Sequence, residues 1–219
     1  MHLHGTTYWA RFAGCYDRGT DYVVGRDLRE ILADQLRLEE PLGEVLECGC
    51  GAGYFTRILA ARSARVFATD LSGEMLETAM IRLGTCPNVQ LQEADCTNLP
   101  FPEGHFDTVV LANVLHTVRP PLTALREAAR VVRVNGRVLV LSYTDFGMVP
   151  WEVFLMALRY YRVFGPPPRE GLTRFTPAQL WGLLEDASLT VLEIRVVGSR
   201  TRALYGRAVK QPRAGNGVS

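Results

Sequence analysis

The chain is short of histidine, has almost no excess charge, and contains no apolar run long enough to cross a bilayer. Each shortage removes a class of protein. A spanning helix needs about 20 consecutive apolar residues, so no membrane span is expected. The 24 Lys and Arg nearly balance the 23 Asp and Glu, leaving a formal net charge of +1. That gives no electrostatic footprint for nucleic acid, and none is expected as a partner. The nearest approach to a basic cluster, Arg195, Arg200, Arg202 and Arg207, reads as a solvated terminal sheet. Cys15, Cys48, Cys50, Cys86 and Cys96 are odd in number and never spaced C-x-x-C. Neither a disulfide framework nor a metal site is expected from them. Met1-His2-Leu3-His4-Gly5 shows neither the basic region nor the apolar run of a secretory signal, so a reducing, cytoplasmic setting is expected.

What is there alternates. With 219 residues, 47% of them hydrophobic, one domain with appendages and a full core is the default. Residues 1–43 read as a helical cap. Tyr8 to Asp17 is short and aromatic. Asp21 is a plausible N-cap for a helix carrying Val24, Leu28, Ile31 and Leu32 at helical spacing. From Glu44, strands over Glu44–Cys48, Arg65–Thr69, Val89–Gln92, Phe106–Leu111 and Arg137–Ser142 alternate with helices over Gly53–Arg62, Ser72–Leu83 and Pro120–Val134. That rhythm implies right-handed crossovers, a parallel sheet and helices on both faces. The rhythm then changes. A helix over Val149–Phe164 and a rigid Gly165-Pro166-Pro167-Pro168 break belong to an insert of about 144–175, set within a domain of residues 44–210. A helix capped by Thr176-Pro177 leads to strands Leu189–Val197 and Ala203–Val209, joined too tightly for a parallel crossover. One reversed strand is therefore expected, and residues 211–219 read as a disordered tail.

The first strand ends in Glu47-Cys48-Gly49-Cys50-Gly51-Ala52-Gly53, and a helical pattern follows at once. Glycine at alternate positions allows positive φ and lets a ligand press on the main chain, while the helix start offers free N–H groups. The spacing G-x-G-x-G is one residue shorter than the dinucleotide fingerprint G-x-G-x-x-G. Asp70 ends the second strand, where a carboxylate bridges ribose hydroxyls. An NAD-linked oxidoreductase would use an acid there in the same way.

This glycine turn, Asp70-Leu71-Ser72-Gly73-Glu74-Met75-Leu76, Glu93-Ala94-Asp95-Cys96-Thr97-Asn98-Leu99-Pro100-Phe101 and Phe106 to His116 resemble, in order, motifs of the class I S-adenosylmethionine (SAM)-dependent methyltransferases. The Leu99-Pro100-Phe101 continuation is similar to the ubiquinone/menaquinone-biosynthesis branch. Asn135-Gly136 stands where that branch more usually has a proline-glycine-glycine turn. The resemblance implies a Rossmann-like α/β fold, a seven-stranded mostly parallel sheet with one antiparallel strand and helices on both faces. It implies SAM as cofactor and S-adenosylhomocysteine as product. Gly49, Gly51 and Gly53 would bend under the cofactor, with Glu47 beneath its amino group and sulfonium. Asp70 would hold the ribose, Leu71 and Met75 would flank adenine, and Asp95 and Cys96 would meet its edge. Asn113 would lie along the methionine part, and the Tyr16-Asp17 pair would cap the whole.

In such enzymes the donor is already activated, and alignment of acceptor, methyl and sulfur is the protein's main task. A base is needed only for a protonated acceptor. His116, which follows the fourth strand, is one candidate and Tyr16 the other; each serves equally well as a structural group. Fourteen of the 20 aromatics fall within Tyr8–Tyr22 or Tyr143–Trp181. An apolar or aromatic small-molecule acceptor with an O, C, N or S nucleophile, or a thiol, bound under the cap, is expected; simple packing of the appended helices would account for the aromatics equally well. A SAM-binding regulatory module without catalysis is the alternative, ahead of the oxidoreductase. The oligomeric state is not readable.

Overall fold

The computed structural model describes residues 8–84, 86–168 and 171–212. His2, His4 and the tail beyond Pro212 lie outside them. The cap is a short 3-10 turn (Ala13–Cys15) followed by α1 (Tyr16–Val24) and α2 (Arg26–Leu38). Asp21 is not the N-cap expected of it. It lies inside α1, and the chain breaks instead at Gly25, whose φ of +88° suits glycine best. The Asp21 carboxylate instead accepts a hydrogen bond from Arg29 at 2.7 Å, which ties the two helices together.

The domain then runs β1 (Glu44–Cys48), α3 (Tyr54–Ala60), β2 (Arg65–Asp70), α4 (Gly73–Leu83), β3 (Val89–Glu93), β4 (Phe106–Ala112), α5 (Pro121–Val131) and β5 (Val132–Thr144). It closes with α6 (Pro150–Phe164), α7 (Pro177–Asp186), β6 (Thr190–Val197) and β7 (Arg202–Val209). The seven strands form one sheet in the order β3-β2-β1-β4-β5-β7-β6. Only β7 is reversed, antiparallel to both β5 and β6. Alternate side chains of the strands feed two cores. Leu46, Val109, Leu111, Val138 and Val140 pack on the α5 and α7 side. Val45, Val66, Val110, Leu139 and Leu141 pack on the side of α2 and α3. Strands buried on both faces read as near-continuous apolar runs, as here.

Two boundaries differ from the sequence reading. The helix begun at Pro121 stops at Val131, and residues 132–136, read as its end and a turn, open β5. The β-branched Val131-Val132 favour strand. Asn135 takes φ +63°, and a Cβ on Gly136 would meet the Asp107 carbonyl at 2.9 Å, so the bulge opposite Phe106 and Thr108 accepts little else. Likewise α3 begins after Gly53 and ends at Ala60, short of Arg62, because Gly53 is left-handed at φ +80° and stands outside the helix.

Candidate active site

Strand order reverses between β1 and β4, where the chain turns from building one half of the sheet to building the other. Ligands of open α/β sheets bind at such switch points, beyond the carboxyl ends of the strands. A cavity of about 840 Å³ lies there, large enough for two small molecules side by side.

Gly49 and Gly51 line its floor. At Gly49 (φ +71°) a Cβ would stand 2.5 Å from Val114, so no side chain fits. At Gly51 (φ +53°) the nearest group is the Tyr16 ring, 3.8 Å from the position a Cβ would take. The Asp70 carboxylate fixes this turn: Oδ2 accepts from the Gly51 N–H at 2.8 Å and Oδ1 from the Ser72 N–H at 3.0 Å. Burial raises its pKa, and the main-chain N–H bonds oppose that rise. Leu71 and Met75 follow it onto the wall. Ser72 caps α4, its Oγ accepting from the Met75 N–H at 3.2 Å.

Asp95 and Cys96 line the β3 end of the cavity. Asp95 Oδ1 accepts from both the Thr97 N–H (2.8 Å) and the Thr97 hydroxyl (2.7 Å). Oδ2 has no hydrogen-bond partner among the described residues. Burial pushes the Cys96 thiol up to about 12, which keeps it neutral. Asn113 follows β4 on the wall in a left-handed conformation, φ +55°. Its Oδ1 accepts from the Tyr143 N–H at 3.2 Å. A main-chain N–H can only donate, so this bond settles which way the carboxamide points.

Three expected site residues stand off the cavity wall. Gly53 serves packing: a Cβ there would press on Ala79 and Leu83 of α4, each at 3.3 Å. Glu47 is buried one layer down, its Oε2 accepting from the Thr56 hydroxyl at 2.6 Å. Burial raises its pKa to about 7, the Thr56 bond working against that and the Asp70 charge adding to it. His116, in a 3-10 turn over Leu115–Thr117, is also off the wall. The turn directs its neighbours Val114, Thr117 and Val118 to the cavity instead. Its Nδ1 is buried without a partner among the described residues, and burial drops the ring pKa to about 4. Its carbonyl accepts from the Thr173 N–H at 2.9 Å.

Tyr16 is on the wall, and burial raises its phenol to about 12. It belongs to an aromatic network in which Trp9, Phe12 and Phe164 meet edge-on at ring separations of 5.1 to 5.8 Å. Among the wall features missing from the sequence reading, three stand out. Arg29, 3% exposed, donates to Asp21 and to the Asp17 carboxylate at 2.5 Å, and its guanidinium lies 3.8 Å from the Tyr54 ring centroid. No local pattern marks a mid-helix arginine as buried. Tyr143 lines the cavity from the end of β5, and burial drives its phenol far up. Its place at a strand's carboxyl end was the available signal. Pro166, Pro167 and Pro168, read only as a break, form part of the far wall.

Strand order, glycine turn and strand-end carboxylates together give the Rossmann-like fold of class I methyltransferases. Residues 46–140 match the family described as "Methyltransferase domain". The chain is 34% identical over 134 residues to a demethylmenaquinone methyltransferase of Clavibacter sepedonicus, covering 60% of this chain and 55% of that one. It is 37% identical over 113 residues to a ubiquinone/menaquinone biosynthesis C-methyltransferase of Ectopseudomonas mendocina, covering 49% and 44%. It thus spans about half the length of the curated relatives it matches. In fold it is similar to the N-methyltransferase NodS of Bradyrhizobium japonicum, solved with S-adenosylhomocysteine, at a TM-score of 0.72 and 21% identity over 95% of this chain and all of that one. Residues 46–140 thus match a methyltransferase domain, and the chain resembles the class I SAM-dependent methyltransferases of the ubiquinone/menaquinone branch.

Proposed function

We propose that the protein transfers the methyl group of SAM to a small apolar or aromatic acceptor by in-line displacement, releasing S-adenosylhomocysteine. The carrying observation is the cavity itself, which runs unbroken from the Asp70 and Asp95 carboxylates to the wall made by Tyr16, Tyr143 and Phe164. The carboxylate end suits an adenosyl group: Asp70 for the ribose, Asp95 and Cys96 at the adenine edge, Leu71 and Met75 on its face. Gly49, Gly51 and Asn113 would flank the methionine part, with Tyr16 folded over it. The aromatic end, built by the cap and the segment after β5, would take the acceptor. Gly53 and Glu47 support the turn from below, and His116 supports the loop behind Val114.

The names of the curated relatives make a hydroquinone-type ring the first acceptor to try, with a carbon nucleophile. Its electron-rich ring would stack on aromatic walls. Five unpaired cysteines, three of them buried, suit a reducing compartment such as the cytoplasm. No helix among the described residues is long and apolar enough to cross a membrane.

Calorimetry with SAM, S-adenosylhomocysteine and NAD, followed by labelled-methyl transfer to hydroquinones, phenols and thiols, tests the reading. Binding of the two adenosyl compounds and transfer to at least one ring acceptor is expected. Binding without turnover on the whole panel would move the protein to the regulatory alternative. NAD binding without SAM binding would end the methyltransferase reading.

A further inference from the structure

Helix α6 is apolar on two opposite sides, and the described residues cover only one of them. Toward the domain it buries Met156 and Phe164, and Val163 closes on Gly19 of α1. On the other side, at helical spacing, come Trp151, Phe154, Leu155, Leu158, Tyr161 and Arg162. Trp151, Phe154 and Tyr161 are 65%, 56% and 62% exposed. The Trp151 and Phe154 rings stack on each other, centroids 5.6 Å apart. Phe146 and Val149, just ahead of the helix, are exposed as well. A surface helix ordinarily turns charged and polar residues outward, and a patch of this kind marks an interaction surface.

The charges beside it are mainly positive. Glu152 is the only acid on α6, whereas Arg159 and Arg162 stand near its end with no ion pair among the described residues. Arg18 of α1, next to the Gly19 contact, is exposed and likewise without an ion pair among them. Aromatic rings with a polar edge favour the zone between acyl chains and headgroups, and arginine pairs with lipid phosphate. α6 also runs directly into the Gly165–Pro168 segment that walls the cavity.

We propose that the outer face of α6 docks the protein on an anionic lipid bilayer. The helix lies in the headgroup interface, with Trp151, Phe154 and Tyr161 inserted and Arg159 and Arg162 on phosphates. The aromatic end of the cavity then sits beside the bilayer, where an apolar acceptor would be drawn from lipid rather than from water. The surface stands on its own residues and does not depend on the acceptor being a hydroquinone.

Sedimentation with equimolar phosphatidylcholine and phosphatidylglycerol vesicles, compared with phosphatidylcholine alone, tests it. The intact protein should pellet with the anionic vesicles. A W151S/F154S/Y161S variant should bind them at least about tenfold more weakly. An R159E/R162E variant should lose the preference for anionic over neutral vesicles. Affinity for S-adenosylhomocysteine, read by calorimetry, should be the same in all three proteins, which separates a lost surface from a lost fold and from a mistaken cofactor site. No pelleting of the intact protein, or equal pelleting of intact and triple-serine proteins, would overturn the proposal. So would a dimer in analytical ultracentrifugation that the triple-serine variant converts to monomer without any lipid binding, since a second copy would then cover the face.

Discussion

Asp70 joins three parts of the site with one carboxylate: the Gly51 N–H, the Ser72 N–H and the cavity between them. Asp70→Ala should therefore both free the glycine turn and remove a ribose partner. A loss of S-adenosylhomocysteine affinity of about 100-fold by calorimetry is expected, the sum of two charge-assisted hydrogen bonds. Glu47 gives a pH signature. Its folded pKa, about 7, lies above its ordinary 4.5, so the folded protein holds this proton more tightly than the unfolded chain. The stability it contributes is fully present below about pH 4.5 and lost as pH rises through about 7. Glu47→Gln should abolish that slope. Denaturant melts at about pH 5 and about pH 8 should show the variant gaining on the wild type by up to about 3 kcal/mol at the higher pH. His116 has the opposite sign. Its folded pKa is depressed from 6.5 to about 4, so its contribution is present above pH 6.5 and lost as pH falls toward 4. His116→Phe should flatten stability over that acid range while changing methyl transfer less than twofold, as expected of a side chain off the cavity wall.

Among the elements, α1 and α6 decide how the cap sits. Gly19 is buried where they cross, and a Cβ there would come within 2.7 Å of Val163 and 2.9 Å of Phe164. Gly19→Val should overpack the crossing and cost about 1–3 kcal/mol in a denaturant melt. It should also weaken cofactor affinity, because Tyr16 and Trp9 ride on the same segment. The amphipathic periodicity of α2 made the cap legible as helical, but its internal break was not. Gly25 rather than Asp21 divides the two helices, and a glycine in a helical pattern does not announce which φ the tertiary contacts will demand. In the same way the Val131–Gly136 stretch carried both helical and strand signals; pairing with β4 settled it.

At the scale of the whole molecule, the site exists because the strand order reverses between β1 and β4 while the chain's two appended segments close over the gap. Cap, glycine turn and the carboxyl end of β4 should therefore respond to ligand together. Hydrogen exchange with and without S-adenosylhomocysteine should show added protection at residues 8–24, 49–53 and 112–114, with the β6–β7 hairpin unchanged. Protection confined to the glycine turn would show that the cap does not close on the cofactor.

The order of strands and helices, the single reversed strand and the glycine turn were determined by local chemistry. Alternation, turn length and positive-φ glycines act within a few residues and can be read in a line. The same holds for Asp70 and Asp95, which are fixed by standing at strand ends. Only the tertiary structure decided which side chains reach the cavity. Glu47 and Gly53 fell beneath the wall and His116 behind it, whereas Arg29, Tyr143 and the three prolines came onto it. Those placements depend on how helices cross and which faces meet, and such contacts between different elements leave no periodic trace in the chain.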